Sequence, residues 1–357
     1  MGRSPLVGRP PERALTDLTD AQIEAEVVAA GGMPFQARQV SHWVFRHRVR
    51  EWDQMRNVPR ALRQSLAARL SIRSSTIAKR ELSQDGTEKL LVQLHDGEAV
   101  ECVVIPEGER TTLCVSTQVG CPVGCVFCAS GLNGVKRNLS AGEIVEQVLL
   151  AEEILPQGRQ LTNLVVMGMG EPLLNLPALL PALERIHDPA GLNLGARRIT
   201  VSTSGYPERM RELAKAEPAY NLAVSLHAAD DTKRKQLVPT ARSPVAEIVA
   251  AARDYFVQKG REVTFEVVLL AGENDRPSDA DALARALSGF PCTVNLIPWN
   301  PVPDIPGLAR PKDRAVDDFA ESLRELGLKV TVRRQRGADR SAACGQLRLR
   351  ESKAASG

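Results

Sequence analysis

Hydrophobic and polar positions change their period along the chain, and each change predicts a different kind of structure. Up to about residue 71 the apolar residues recur at helical spacing, and over residues 76–106 they alternate with polar residues as in a β-strand. Gly86 and Asp96-Gly97 interrupt the alternating part where hairpin turns are expected. The predicted helices are Asp20–Ala30, Phe35–Arg50 and Pro59–Leu70, and the predicted hairpin strands are Lys89–Leu94 and Ala99–Ile105.

From Thr112–Ser116 onward, short apolar runs alternate with amphipathic helical segments. Ser140 and Glu143 have capping-box spacing and predict a helix to about Leu155. The further strands are predicted at Asn163–Met167, Arg198–Ser202, Asn221–Leu226, Glu262–Leu270, Thr293–Ile297 and Lys329–Arg333, with helices near 176–187, 207–216, 244–259, 278–289 and 314–326. The alternation predicts an α/β fold with a parallel sheet and crossover helices.

The strand count leaves two questions open. With Thr112–Ser116 included, there is one strand more than a six-stranded set needs, so the place of the edge strand Lys329–Arg333 is undecided. Spacing alone does not separate a barrel from an open sheet. In both, ligands bind at the carboxyl ends of the strands.

These patterns divide the chain into five parts. We expect a disordered lead-in at 1–15, a helical accessory domain at 16–75 and a β-hairpin extension at 76–110. A core at 111–347 and a flexible tail at 348–357 follow. The basic second helix of the accessory domain is the first place to look for RNA contacts.

Composition and charge limit the class of protein. The 357 residues are 43% hydrophobic and 25% charged, as in an ordinary soluble protein, and the formal net charge is only +3. Basic residues concentrate in four clusters that together suggest a phosphate-binding surface: Arg46–His47–Arg48–Val49–Arg50, Lys79–Arg80, Lys233–Arg234–Lys235 and Arg333–Arg334–Gln335–Arg336.

The seven cysteines are odd in number and bunched, which argues against a secreted disulfide framework. The first residues lack the apolar core of a signal peptide, and no stretch approaches the ~20 apolar residues that span a bilayer. We therefore expect a cytoplasmic protein with no membrane association.

The strongest chemical signal is Cys121, Cys125 and Cys128, within eight residues that also contain glycine and proline. Such a segment forms neither a regular helix nor a strand, so it predicts a loop whose thiols bind one metal centre. Thiolates are soft ligands suited to zinc or to an iron–sulfur cluster. A structural zinc site needs four ligands, whereas three thiolates on a four-iron cluster leave one iron open, and this spacing favours the cluster.

The loop, with Phe127 before its last cysteine, resembles the signature of the radical S-adenosylmethionine (SAM) superfamily. The motifs that follow resemble one branch of it, the RlmN/Cfr adenine methyltransferases, from about Asp20 to Leu347. The motifs are Met167–Gly168–Met169–Gly170–Glu171–Pro172–Leu173–Leu174–Asn175, Val201–Ser202–Thr203–Ser204–Gly205, Ser225–Leu226–His227, Ile297–Pro298–Trp299–Asn300–Pro301 and Ala342–Ala343–Cys344–Gly345–Gln346–Leu347.

The resemblance implies a partial radical SAM (β/α)6 barrel with a small N-terminal helical domain and a hairpin extension. It also implies a [4Fe-4S] cluster on the three loop cysteines. The residues that it assigns to SAM are Gly170, Glu171, Ser202, Ser225, Leu226, His227 and Asn300. From the residues alone, Gly168 and Gly170 after an apolar strand would let the backbone approach a ligand closely.

The resemblance also implies a mechanism that consumes two SAM molecules per turnover. Cys344 would become S-methylcysteine and, after a 5′-deoxyadenosyl radical abstracts hydrogen, would add to adenine. Glu101 would accept a proton from the adduct. Cys114 would then resolve it through a transient disulfide with Cys344. We read Cys102 and Cys292 as packing residues.

The expected activity is methylation of adenine C2 in 23S rRNA and tRNA, by a monomer that takes electrons from a flavodoxin or ferredoxin. A Cfr-like methylation at C8 is the alternative within this mechanism. Two other readings stay open: a non-catalytic RNA-binding protein with structural zinc, and a radical SAM enzyme with a small-molecule substrate. The latter would make little use of a basic helical domain.

Overall fold

The structure of the protein, a computed structural model, describes residues 13–333 and 337–347. The expected tail, most of the expected lead-in and Arg334–Gln335–Arg336 lie outside the described residues. The α-helices of the described part are α1 (Asp20–Ala29), α2 (Pro34–Ser41), α3 (Arg60–Ala67), α4 (Ala141–Ile154), α5 (Leu176–His187), α6 (Pro207–Leu213), α7 (Asp231–Leu237), α8 (Val245–Lys259), α9 (Pro277–Leu287) and α10 (Asp313–Glu325).

Of the twelve strands in the described residues, nine follow the predicted order with small shifts at their ends, and Thr76–Leu82, Gln118–Gly120 and Val135–Asn138 were not predicted as strands. The strands are β1 (Thr76–Leu82), β2 (Glu88–Gln93), β3 (Ala99–Glu107), β4 (Arg110–Cys114), β5 (Gln118–Gly120), β6 (Val135–Asn138), β7 (Asn163–Val166), β8 (Ile199–Thr203), β9 (Asn221–Ser225), β10 (Val263–Leu269), β11 (Cys292–Pro298) and β12 (Lys329–Val332).

One open sheet organises the core, in the order β1-β2-β3-β4-β7-β8-β9-β10-β11-β12. In this sheet β1 to β4 pair antiparallel, and all pairings from β4 to the edge strand β12 are parallel. Strands β5 and β6 form a separate antiparallel pair. Six strand–helix units therefore lead to a final strand, β12, which belongs to the sheet. The predicted α/β class and partial (β/α)6 architecture are confirmed, and the sheet does not close.

Helix α4 is the support on which the N-terminal helices rest. Ser140 and Glu143 form the predicted capping box, and the Asp17 carboxylate accepts from the Gly142 amide at 2.8 Å. The fully buried Glu146 accepts from the amides of Ser74 and Ser75 at 2.8 and 2.7 Å. Burial raises the pKa of Glu146. These bonds and a shared apolar core hold α1–α3 against the sheet.

Candidate active site

The three-cysteine loop runs from β5 to β6, over the carboxyl ends of the parallel strands. Its shape depends on Gly120, which has φ +82°; a Cβ there would lie 2.0 Å from the carbonyl oxygen of Gly134. The Cys121 amide donates to the same carbonyl at 2.9 Å. The indole of Trp299, after β11, donates to the carbonyl of Phe127 at 2.9 Å. Glycine geometry and one tryptophan thus fix the loop.

Cys121, Cys125 and Cys128 are half-buried and line one cavity, among apolar neighbours that include Val123 and Phe127. Burial raises the pKa of the Cys121 thiol to about 12 and that of Cys125 well above its ordinary value. Soft thiol donors in a largely apolar wall suit an iron–sulfur cluster, which ligates thiolates.

No three His, Cys, Asp or Glu side chains within residues 13–333 and 337–347 converge as a single metal ion requires. A cluster places no such demand, because each cysteine binds a different iron atom.

The residues predicted to hold SAM meet at this cavity, with one exception. Its wall includes Gly170, Glu171, Ser202, Ser225, His227 and Asn300. Leu226 is fully buried and is not part of the wall. Its amide donates to the Glu266 carbonyl at 3.0 Å, and its own carbonyl accepts from Arg234. The Leu226 backbone lies between Ser225 and His227, which both belong to the wall, whereas its side chain does not.

Glu171 ties two strand ends together. Its carboxylate accepts from the Leu173 amide at 3.1 Å, and from the amide and hydroxyl of Ser204 at 2.7 and 2.8 Å. Burial raises its pKa.

Neighbouring Gly168 and Gly170 are also needed for packing within the chain. A Cβ at Gly168 would lie 2.6 Å from Ser116 Oγ, and one at Gly170 would lie 2.8 Å from Gln118 Cβ. Both glycines also line the cavity, so the predicted close approach of a ligand stays a prediction.

His227 sits in a left-handed conformation, φ +64°, in the cavity wall. Its Nδ1 accepts from the Val268 amide at 3.2 Å, so the ring proton is on Nε2. The ring meets Phe127 edge-on at 4.7 Å. Burial, helped by the nearby Arg234 charge, lowers its pKa to about 3. The imidazole is therefore neutral at physiological pH.

Asn300 links the cavity to the segment that carries Cys344. Its Nδ2 donates to the Cys344 carbonyl at 3.0 Å, while its buried Oδ1 has no hydrogen-bond partner within the described residues. An orphaned acceptor in a cavity wall fits the ammonium or hydroxyl group of a ligand. The segment is also held by bonds from the Ala129 amide to the Gly345 carbonyl (2.8 Å) and from Ser130 Oγ to the Leu347 carbonyl (2.7 Å).

Cys114, at the end of β4, and Cys344 line the same cavity as the three loop cysteines, and both are free thiols. Burial raises the pKa of both thiols, that of Cys114 to about 12. The charge of Arg333 opposes this rise at both cysteines. Arg333 was predicted as part of a phosphate-binding cluster, but its side chain lines this cavity beside Glu266. It follows β12 directly, which the charge pattern alone did not reveal.

Glu101 is not in the cavity wall. It lies on β3 in a neighbouring groove, hereafter the hairpin groove, bounded by β1–β3 and the segments near Pro303 and Arg340. Alternation along β3 places Glu101 on the same face as Val103, which is paired with Cys114 and lines the cavity. Cys102 faces the other side and is fully buried, as predicted for a packing residue.

Two comparisons decide the family. A curated relative from Symbiobacterium thermophilum, described as a probable dual-specificity RNA methyltransferase RlmN, is 45% identical over 98% of this chain and 92% of its own length. One from Rhodopirellula baltica with the same description is 46% identical over 89% of this chain and 86% of its own. The chain belongs to the RlmN family.

Domain and structure comparisons agree with the RlmN family assignment. Residues 115–284 match the Radical SAM superfamily, and residues 14–72 match the ribosomal RNA large subunit methyltransferase N-terminal domain. The crystal structure of a radical SAM methyltransferase from Sphaerobacter thermophilus superposes with a TM-score of 0.91 at 47% identity, covering 94% of this chain and 99% of that one.

The sequence motifs shared with the RlmN family did not reveal Arg234. This arginine on α7 is 1% exposed and donates to the carbonyls of Ser204, Ser225 and Leu226. It joins the ends of β8 and β9 behind the cavity. In the sequence, the neighbours Lys233 and Lys235 indicated that Arg234 belongs to a solvated basic cluster. The only sequence signal for its burial was the apolar residues around this turn of α7.

Five basic residues of the predicted phosphate-binding clusters form ion pairs within the chain. Arg48 pairs with Glu152 at 3.1 Å, Lys79 with Glu81 at 2.6 Å and Arg80 with Glu88 at 2.5 Å, while Arg50 and Lys233 also pair with acids. Arg38, His42, Arg46 and His47 remain exposed in and after α2. The predicted helix Phe35–Arg50 is an α-helix only to Ser41 and continues as a π-helix over His42–Arg46. The predicted phosphate-binding surface stays a prediction, and these exposed residues have no acidic partner among the ion pairs described above.

Proposed function

We propose that this chain methylates C2 of adenine in 23S rRNA and tRNA through an S-methylcysteine at Cys344. The observation that carries the proposal is that Cys114 and Cys344 line one cavity with the three-cysteine loop. In sequence, one of them is near the beginning of the core and the other near its end. A cluster site alone would fit many radical reactions. Two further free thiols at the same cavity fit a methyl carrier and the cysteine that resolves its adduct.

In this proposal Cys121, Cys125 and Cys128 hold the [4Fe-4S] cluster. SAM lies against Gly170, Glu171, Ser202, Ser225, His227 and Asn300, with the backbone of Leu226 behind it. When bound, these groups supply the methyl group and a 5′-deoxyadenosyl radical, with two SAM molecules used per turnover. The neutral His227 donates from Nε2, and Asn300 Oδ1 accepts.

The chain's own residues carry the remaining steps. Cys344 holds the methyl carbon and becomes joined to adenine through it. Glu101 accepts the proton that leaves the adduct. The Cys114 thiolate then attacks the sulfur of Cys344 and forms the Cys114–Cys344 disulfide, while the bond between that sulfur and the methylene carbon breaks. The carbon keeps the bonding electron pair and takes up a proton, which completes the methyl group, and an external reductant later reduces the disulfide. Arg333, at the same cavity, favours the anionic form of both thiols.

RNA is the proposed partner because the curated relatives are described as RNA methyltransferases and residues 14–72 match an N-terminal domain of that class. We also propose that a flavodoxin or ferredoxin supplies electrons to a cytoplasmic monomer. No helix within the described residues is long and apolar enough to cross a membrane.

The test is mass spectrometry of adenosine from an RNA hairpin after anaerobic incubation with reductant and SAM that has a fully deuterated methyl group. We expect a C2 methyl group that has lost deuterium, and none from Cys344→Ala. Cys292→Ala is the matched control, since Cys292 is buried outside the cavity, and it should retain activity.

Each alternative result has a distinct meaning. The same methyl group at C8 would assign the chain a Cfr-like activity. A methyl group that keeps all its deuterium would mean direct polar transfer and would overturn the role of Cys344. Methylation by Cys344→Ala would do the same. A colourless protein with one zinc ion and no methylation would favour the zinc-containing binding protein.

A further inference from the structure

The hairpin groove contains a buried ion pair between Glu101 and a lysine that has no role in the steps above. Lys89 on β2 places its Nζ 3.0 Å from Glu101 Oε1 and 3.1 Å from Glu81 Oε2. The side chains of Lys89 and Glu101 are only 11% and 7% exposed. One ammonium therefore lies between two carboxylates, at the wall of a groove.

Strand register produces this contact. Lys89 is paired directly with Glu81 across β1 and β2, and Glu101 is paired with Leu91, two residues further along β2. Lys89 and Glu101 are thus diagonal neighbours on one face of the sheet, within reach of a long side chain. Because backbone pairing sets the positions of both side chains, the contact does not depend on a flexible loop.

A buried carboxylate favours its neutral form unless a charge or hydrogen bond compensates it. A proton acceptor must start as the anion. Lys89 provides the compensating positive charge at 3.0 Å, and it is itself buried, so solvent screens the pair little. An isolated buried carboxylate in the same place would take up a proton and lose its function.

We propose that Lys89 is a positioning residue that keeps Glu101 ionised and fixed in the hairpin groove to accept the proton of the adenine adduct. The proposal rests on the role proposed above for Glu101. In the step, the proton leaves the adenine carbon, its bonding electrons stay on the adduct, and the Glu101 carboxylate becomes a carboxylic acid. Lys89 takes no part in the proton transfer itself.

Other charged groups face the same groove and are unchanged in the Lys89 and Glu101 variants. They are Lys79 and Glu81 from β1, Glu98 from the β2–β3 turn, Lys136 from β6, Asp304 from the segment after β11, and Asp339 and Arg340 from the C-terminal segment. Lys136 is a matched control, because it is a lysine of the same groove that pairs with Glu98 at 3.0 Å instead of Glu101.

The experiment measures, in single turnover and as a function of pH, the release of the covalent RNA–protein adduct by the cluster-loaded protein. For Lys89→Met we expect release to fall about tenfold or more at pH 7 and to recover as the pH rises. The reason is that loss of the ammonium favours the protonated carboxyl group, which moves the acidic limb of the profile to higher pH. Lys89→Arg should restore most of the rate, and Lys136→Met should follow the wild-type profile.

A second pair of variants separates this proposal from a folding defect. In Glu101→Gln the adduct should accumulate at every pH, and adding Lys89→Met should slow release no further, because the neutral pair leaves no uncompensated charge. A wild-type profile for Lys89→Met, or equal slowing at all pH values, would overturn the role of Lys89 while leaving Glu101 in place. Normal release by Glu101→Gln would overturn both, without touching the role of Cys344.

Discussion

Asn300 donates a hydrogen bond from Nδ2 to the backbone carbonyl of Cys344 at 3.0 Å, and its Oδ1 is buried without a partner in the described residues. One side chain therefore faces both the segment of the proposed methyl carrier and the cavity. The donor and acceptor ends of the amide can be tested separately, because aspartate retains only an acceptor.

We expect Asn300→Asp to loosen the Cys344 segment, since the hydrogen bond that it removes is worth about 1 kcal/mol. Asn300→Ala should in addition weaken SAM binding, because it removes the orphaned acceptor. Limited proteolysis near residue 344 would report the first effect, and equilibrium dialysis with labelled SAM the second. Equal SAM affinity in wild type and Asn300→Ala would show that Oδ1 does not contact the ligand.

Arg234→Met should destabilise the fold strongly. The substitution removes the donors to the carbonyls of Ser204, Ser225 and Leu226, all at strand ends behind the cavity. Leaving buried groups unpaired should cost about 3 kcal/mol or more of the free energy of unfolding. Thermal denaturation and iron content after reconstitution would measure the effects on fold and site. The exposed neighbour Lys235 provides the control: Lys235→Met should change neither, and a similar loss there would refute the explanation.

Local sequence patterns predicted the sheet well, because apolar runs bounded by polar residues mark strands wherever they occur. They also placed Asn300 correctly at a strand end. They did not reveal contacts that depend on register or on the path of distant segments. The Lys89–Glu101 pair needs the diagonal geometry of two strands, and the sequence did not show that the Leu226 side chain is buried outside the cavity wall. Arg234 looks exposed because a guanidinium rarely lies in a core.

Arg333→Met should shift the methylation of Cys344 to higher pH. Burial raises the pKa of Cys344 and of Cys114, and the Arg333 guanidinium counteracts the rise at both. Without that charge, each thiolate forms only at a higher pH. Intact-protein mass spectrometry, with SAM added over a range of pH, would follow the S-methyl product. Arg324→Met, on α10 and paired with Glu321, should leave the profile in place. An unchanged profile for Arg333→Met would exclude a thiolate-stabilising role.

His227 should make the unfolding free energy depend on pH. Its pKa is about 3 in the folded chain and about 6.5 when unfolded. The unfolded state therefore binds the extra proton first, and stability falls as the pH decreases from about 6.5 towards 3, by ~1.4 kcal/mol per pH unit from this group. His227→Asn, which tolerates the left-handed conformation, should flatten that slope in denaturant titrations of the metal-free chain. A slope equal to that of the wild type would show that another group causes the pH dependence.

The exposed side chains of Arg38 and Arg46 should carry part of the RNA affinity. Replacing both with alanine should weaken binding of an RNA hairpin and reduce the slope of log affinity against log salt by about 1 for each phosphate group that an arginine no longer neutralises. Point substitutions are preferable to deleting residues 1–72, because deletion would expose the core under α4 and remove the Thr16 hydroxyl that donates to the buried Glu146. Arg314→Ala, an exposed arginine on α10, should bind RNA as the wild type does. An unchanged salt slope in the double variant would move the RNA surface away from α2.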